Sequence, residues 1–96
     1  MFDSIEDIMQ ANEENGNCFF HPDTINFFGS VVYPEIYRGQ YFITGENNFD
    51  GSEFRFTIRK AHSNGRISTV GQFQEYATLE SARDALTIFF DDLETD

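Results

Sequence analysis

An alternating segment followed by Asn-Gly constrains the fold of this 96-residue chain more than any other feature. In Glu53–Lys60 every second residue is apolar, and Arg or Thr fills the positions between, as in a strand with one face on a core. Asn64-Gly65 follows, and this dipeptide is the strongest short-range signal for a hairpin turn. A second strand is predicted through Ile67–Tyr76, where Gly71 can mark a bulge. The middle of the chain is therefore predicted to be an antiparallel hairpin.

Further strand signals before the hairpin extend it into a meander. Val31–Tyr37 is rich in β-forming residues, but Pro34 restricts it to an edge or a broken strand. A short turn leads into a predicted strand Tyr41–Thr44, and the polar residues 45–52 are interpreted as a loop. Cys18–Phe20 is a further candidate strand. We therefore predict a sheet of three to four antiparallel strands.

Amphipathic helices are predicted at both ends of the chain. Residues 2–14 carry apolar side chains at helical spacing, with Asp3 or Ser4 as the cap. Thr78 can cap a final helix that runs to about Leu93. Between the first helix and the sheet, Thr24–Phe28 is interpreted either as one helical turn or as a strand.

The helical alternative for Thr24–Phe28 has Asp23 as its cap and Gly29 as its stop. With either alternative, the order of helix, meander and helix predicts an α+β fold with two layers, and residues 1–96 form a single domain. Twelve Phe and four Tyr supply apolar area for its core.

Several classes of protein are excluded at this point. The first ten residues contain no basic residue and no long apolar run, which argues against a signal peptide, and no stretch approaches a membrane span. The single Cys18 excludes an intramolecular disulfide and fits a reducing compartment. We therefore expect a cytoplasmic protein.

The charge of the chain is unevenly distributed. Seventeen acidic and six basic residues give a net charge of −11, which opposes direct binding to nucleic acid and to anionic membranes. All six Lys and Arg lie within residues 38–83. The neutral predicted sheet is thus flanked by two acidic helices.

Each terminal helix is predicted to carry an acidic ridge, defined as three carboxylates within about 40° of one another on the helix. The N-terminal ridge contains Asp3, Asp7 and Glu14, and the C-terminal ridge contains Glu80, Asp84 and Asp91, continued by Asp92 and Glu94. Like charges four residues apart cost a few tenths of a kcal/mol. Two solvated helix faces would explain the ridges without any function. Alternatively, they imitate the phosphates of a nucleic acid and occupy the basic groove of a protein.

Other candidate sites are weaker. Cys18 and His21 supply only two metal ligands, and a structural zinc site needs four. Glu46 would be the first position of a calcium loop, but Thr57 stands where the final Glu is required. We therefore expect no metal, no cofactor and no enzymatic activity. The arginines around the hairpin are expected to pair with acids of the same domain or of a second subunit. Ile88 lies on the polar side of the last helix and is a candidate contact with a partner or with a second copy of the chain.

Three segments carry a resemblance to known proteins. The run from Phe20 to Ser30 (FHPDTINFFGS), the segments YFITGE and FTIRK, and the run from Gly65 to Tyr76 (GRISTVGQFQEY) resemble a family of small bacteriophage proteins. The resemblance covers about residues 19–82 and implies no catalytic residues. It implies a phage protein directed at its host, such as an anti-CRISPR or antirestriction inhibitor.

The sequence thus supports two functional hypotheses. The first is a non-enzymatic inhibitor whose ridges occupy the nucleic-acid groove of a basic host defence complex. The alternative is a phage accessory or adaptor protein that binds a partner through its sheet or a dimer contact, with the charge serving only solubility.

Overall fold

The computed structural model describes residues 2–47 and 53–94, and its elements follow the predicted order of helix, meander and helix. The elements are α1 (Ile5–Glu14), α2 (Pro22–Phe28), β1 (Val31–Val32), β2 (Tyr41–Asn47), β3 (Phe54–Ala61), β4 (Ile67–Val70) and α3 (Leu79–Glu94). The four strands form one antiparallel sheet in the order β1-β2-β3-β4. The predicted α+β meander with a helix at each end is confirmed.

The β3–β4 hairpin turns at the predicted Asn-Gly. Gly65 has a φ of 84°, a left-handed conformation that favours glycine, and the His62 amide donates to the Arg66 carbonyl over 2.8 Å to close the turn. The Asn12 side chain of α1 donates to the Gly65 carbonyl over 2.8 Å. The turn therefore also fixes the position of α1.

The last strand is shorter than predicted. β4 ends at Val70, because Gly71 turns the chain away with a φ of 79°. The chain rejoins the sheet at Tyr76, which exchanges two backbone hydrogen bonds with Phe56 at 2.8 and 3.1 Å. The prediction of one continuous strand over Ile67–Tyr76 is therefore wrong between residues 71 and 75.

The second strand is longer than predicted. β2 continues through residues 45–47, which the sequence assigned to a loop, and pairs there with the start of β3. Gly45 permits this extension because a Cβ at this position would collide with the Phe54 ring and lie 3.3 Å from the Phe56 ring. The remaining part of the predicted loop, residues 48–52, lies outside the described residues.

Residues Thr24–Phe28, for which the sequence allowed a helical turn or a strand, are helical and belong to α2. α2 is capped by His21, whose Nδ1 accepts a hydrogen bond from the Asp23 amide at 3.2 Å, so Asp23 is not the cap. Gly29 ends the helix in the left-handed conformation, as expected. Cys18–Phe20 forms a turn and not the predicted strand, because the Phe19 and Phe20 rings pack against the Phe42 ring of β2.

The two faces of the sheet are covered by different helices. Side chains alternate across β2 and β3, so Ile43 and Ile58 face α3 and pack against its Ala82 and Leu86. On the opposite face, Phe42 packs with residues of α1. This second cluster is formed by Ile5, Ile8, Phe42 and Ala61. The sheet therefore lies between helices, and the predicted two-layer arrangement is wrong.

Candidate functional site

The N-terminal ridge is shorter than predicted. Ser4 is the helix cap, with extended backbone and a side-chain oxygen that accepts from the Asp7 amide at 3.3 Å. Asp3 therefore precedes α1, and its predicted position on the helix surface is wrong. Asp7 and Glu14 lie on α1 and are exposed, and Glu14 accepts a hydrogen bond from Gln10.

The C-terminal ridge is placed as predicted on α3. Thr78 caps the helix through a hydrogen bond of 3.0 Å from the Ser81 amide. The ridge carboxylates within the described side chains are all exposed. They are Glu80, Asp84, Asp91 and Asp92. Glu94 is the last residue of α3, and its side chain lies outside the description.

Arg55 and Arg59 of the hairpin form ion pairs with acids of the same chain, which confirms the prediction for these two residues. Arg55 pairs with Glu53, Arg59 pairs with Glu46, and Arg83 of α3 reaches across to Glu35. Consequently, among the described side chains, no Lys or Arg forms an ion pair with the ridge carboxylates Asp7, Glu14, Glu80, Asp84 and Asp92.

The Arg83–Glu35 pair includes a tyrosine. The Tyr37 hydroxyl donates to the second oxygen of Glu35 at 3.0 Å. Burial, followed by this bond to the carboxylate, raises the pKa of Tyr37. The pKa of Arg83 is raised, first by its interaction with Tyr37 and further by the charge of Glu35. This cluster ties α3 to the segment after β1 and keeps Arg83 from neutralising the ridge.

The most buried polar cluster of the described chain was not found by sequence reasoning. Glu46 and Arg59 stand on the sheet face opposite α3, with 2% and 11% of their side-chain surfaces exposed, and are joined at 2.9 Å. Glu46 also accepts hydrogen bonds from the hydroxyls of Thr44 and Thr57, the latter at 3.1 Å. Arg59 donates to Thr44 at 3.0 Å and to Thr69 at 2.7 Å. We call these five residues the polar cluster.

A cavity of about 360 Å³ opens beside the polar cluster. Aromatic rings from two separate segments lie against its arginine, because the Arg59 guanidinium carbon is 5.2 Å from the Phe19 ring centre and 5.4 Å from that of Phe73. The cavity is lined by Phe19, Thr24, Ser30, Glu46, Arg59 and Phe73. The sequence showed only that the rings of β3 face away from its arginines, which is correct. It could not show that rings from other segments cover Arg59.

The two residues considered for a zinc site have other roles or surroundings in the structure. Cys18 is exposed, and the His21 ring caps α2. Within residues 2–47 and 53–94, no group of three or more His, Cys, Asp or Glu side chains could hold a metal ion. The same residues include no helix with the length and apolar character needed to cross a bilayer.

Comparison with known proteins identifies a family. A model of the family of unknown function DUF7447 matches residues 4–87. The chain belongs to this family. The matched region begins at the cap of α1 and ends within α3, so it includes the polar cluster and the ridge residues Asp7, Glu14, Glu80 and Asp84, whereas Asp91 and Asp92 follow it. No curated protein and no solved structure is significantly similar to the chain.

Proposed function

We propose that the protein is a non-enzymatic phage-type inhibitor of a host complex that targets nucleic acid, such as a CRISPR or restriction complex. In this proposal it acts in the cytoplasm of the bacterial host. It imitates nucleic acid, and one of its acidic ridges occupies the basic groove of the target. It needs no cofactor and does not itself bind nucleic acid or membranes.

One observation carries the proposal, namely the separation of the charges. Arg55, Arg59 and Arg83 pair with Glu53, Glu46 and Glu35, and the exposed carboxylates of Asp7, Glu14, Glu80, Asp84 and Asp92 form no ion pair with Lys or Arg among the described side chains. Ordinary surfaces intersperse both signs of charge. A surface of one sign attracts a basic protein over long range and speeds its association.

The spacing of the α3 ridge suits a nucleic-acid groove. Glu80 and Asp91 are eleven positions apart, or about 16 Å along the helix axis, and Asp84 lies between them. A strand of duplex DNA carries about five phosphates over the same length. With Asp92, the ridge therefore supplies four carboxylates where DNA would supply about five charges.

The fold decides how a partner could use the ridges. α1 and α3 lie on opposite faces of the sheet, so the ridges do not merge into one surface. We therefore propose that α3 makes the principal contact, because its ridge is longer and its described carboxylates, Glu80, Asp84, Asp91 and Asp92, are all exposed. Asp7 and Glu14 then contribute mainly to the long-range attraction.

The alternative function is that of an adaptor whose charge serves only solubility. Exposed apolar side chains favour it, since Phe27 is 77% exposed, Ile88 61% and Phe73 49%. Ile88 lies on α3 and could also form a homodimer contact. Ile88 lies one helical turn after Asp84 on the ridge face of α3, whereas Phe27 and Phe73 lie outside α3. Substitutions of Phe27 and Phe73 therefore distinguish the two functions.

The test is capture of host proteins on the immobilised full chain. If the proposal is correct, the bound protein is basic, elutes between about 50 and 200 mM salt, and is displaced at low salt by duplex DNA or by the target's guide RNA. A captured protein that resists both salt and nucleic acid would support the adaptor and contradict mimicry.

A further inference from the structure

The cavity beside the polar cluster has the size and composition of a binding pocket. Its volume of about 360 Å³ falls within the range of about 300–1,000 Å³ typical of such sites. Phe19 and Phe73 supply apolar walls, and Thr24 of α2 and Ser30 supply hydroxyl groups. An apolar pocket with a few polar groups orients a bound group by its polar edge.

The pocket offers polar groups to a ligand, and the charged side chains in its lining neutralise each other. The Arg59 charge is balanced by Glu46, and Arg59 uses three of its five N–H groups on the side chains of the polar cluster. The hydroxyls of Thr24 and Ser30 have no hydrogen-bond partner among the described residues. The pocket therefore suits an uncharged ring with a polar edge better than an anion or a cation.

Two observations favour a protein segment as the occupant. Phe73 is 49% exposed at the pocket, and Phe27, one helical turn after Thr24, is 77% exposed, so apolar surface continues outside the pocket. Near the pocket, Asp23 and Glu75 are exposed and form no ion pair with Lys or Arg among the described residues. An aromatic side chain flanked by basic residues matches both features.

We infer that this cavity is an anchor pocket for a tryptophan or tyrosine side chain carried by a basic segment of the partner protein. The inference rests on the proposed function in one respect, that the partner is basic. A buried Trp or Tyr needs a partner for its N–H or O–H, which Glu46 and the two hydroxyls provide. Trp and Tyr are also the residues that most often dominate binding energy at protein interfaces.

The test uses acetyl-Lys-Trp-Lys-amide and exploits the absence of tryptophan from this chain. Because only the peptide contains Trp, its fluorescence reports binding directly, and amide NMR shifts identify the contacted residues. We expect a blue shift of the Trp emission, with amide shifts at Phe19, Thr24, Ser30 and Phe73. The peptide Lys-Ala-Lys should leave these amides unshifted, and Glu-Trp-Glu should bind more weakly.

Variants of residues outside the hydrophobic core complete the test. We expect Phe73→Ala to weaken binding of Lys-Trp-Lys about tenfold, through loss of one aromatic wall. Thr24→Val, which keeps the shape and removes the hydroxyl, should weaken it less. Met9→Ala, which removes an exposed apolar side chain of α1 that does not line the pocket, should change it by no more than about twofold. Far-UV circular dichroism confirms that each variant is folded.

Several results would overturn the inference. One is a Trp emission of the peptide that stays unchanged at millimolar protein, and another is equal peptide affinity of Phe73→Ala and the wild type. A third is binding of adenosine, but not of the peptide, in the pocket. A fourth is a shift of the pocket amides when the protein alone is diluted, which would indicate that a second copy of the chain occupies the pocket. If the peptide bound equally to Phe73→Ala but lost affinity in Glu80→Gln/Asp84→Asn, the anchor would be refuted while the proposed function survived.

Discussion

Removal of Glu46 should destabilise the protein more than most single substitutions. Its carboxylate is 2% exposed and accepts hydrogen bonds from Arg59, Thr44 and Thr57. In Glu46→Ala, the Arg59 guanidinium stays almost buried without its counter-charge, a change that costs about 3–5 kcal/mol. A 96-residue domain has a total stability of only about 5–14 kcal/mol. We therefore expect Glu46→Ala to lose about a fifth or more of it.

A double-mutant cycle separates the ion pair from simple loss of packing. Its two single variants are Glu46→Leu and Arg59→Met, each of which leaves the other charge buried and uncompensated and should cost an amount similar to Glu46→Ala. The double variant Glu46→Leu/Arg59→Met removes both charges and fills the space, so it should cost much less than the sum of its singles. We expect a coupling energy of about 3 kcal/mol.

The assay for this cycle is urea unfolding followed by far-UV circular dichroism, with a common slope required across the variants. The reasoning would be refuted if Glu46→Ala cost less than about 1 kcal/mol, the range of an exposed ion pair. Additive effects in the double variant would refute it equally, since they would mean that the two charges do not interact.

Three further predictions concern other parts of the fold. In urea unfolding, Gly65→Ala should lower the free energy of unfolding by much more than Gly16→Ala does. Both glycines have positive φ, but only at Gly65 would a Cβ lie 2.6 Å from the Ala11 carbonyl oxygen. Equal losses of stability in the two variants would contradict the close packing of α1 against the turn. Thr78→Ala should cost about 1 kcal/mol by removing the α3 cap, and Thr78→Ser should restore most of it. Burial, then Arg66 and Lys60, lower the pKa of His62, so the unfolded state binds more protons below about pH 6.5. The stability of the wild type relative to His62→Gln should therefore fall as the pH decreases from about 7.5 to 5.5. If the difference in stability between the wild type and His62→Gln stayed constant over this pH range, the prediction would be contradicted.

Local patterns were sufficient to predict most elements. The alternation in Glu53–Lys60 assigned the faces of β3 correctly, and Asn64-Gly65 located the turn to β4. Thr78 was identified as the cap of α3 from its residue type and position alone. Each of these features depends on residues within a few positions of one another, which is the range over which sequence periodicity and capping act.

The polar cluster could not be predicted, because it depends on strand register. Glu46 was assigned to a loop, since Gly45 precedes it and polar residues follow. The Phe54 ring packs over Gly45, where β2 continues, and the pairing of the extended strand with β3 places Glu46 within reach of Arg59, thirteen positions away. Similarly, the contact of Phe19 and Phe73 with Arg59 joins three distant segments.

The ridges show the same limit. Helical periodicity predicted the exposed positions of Glu80, Asp84 and Asp91 on α3. It wrongly included Asp3 in the N-terminal helix, because the cap residue is Ser4. Periodicity also could not reveal that the two helices cover opposite faces of the sheet, which depends on how the whole chain packs.

The most direct test of the acidic-ridge proposal compares two variants of equal charge against the captured partner. Glu80→Gln/Asp84→Asn neutralises part of the α3 ridge, and Glu6→Gln/Glu13→Gln removes the same charge from exposed positions of α1 that belong neither to a ridge nor to the pocket. We expect the ridge variant to bind more weakly and to reduce the slope of log K against log salt by about two. The control should retain most of that slope. Unchanged affinity and slope in the ridge variant would contradict nucleic-acid mimicry.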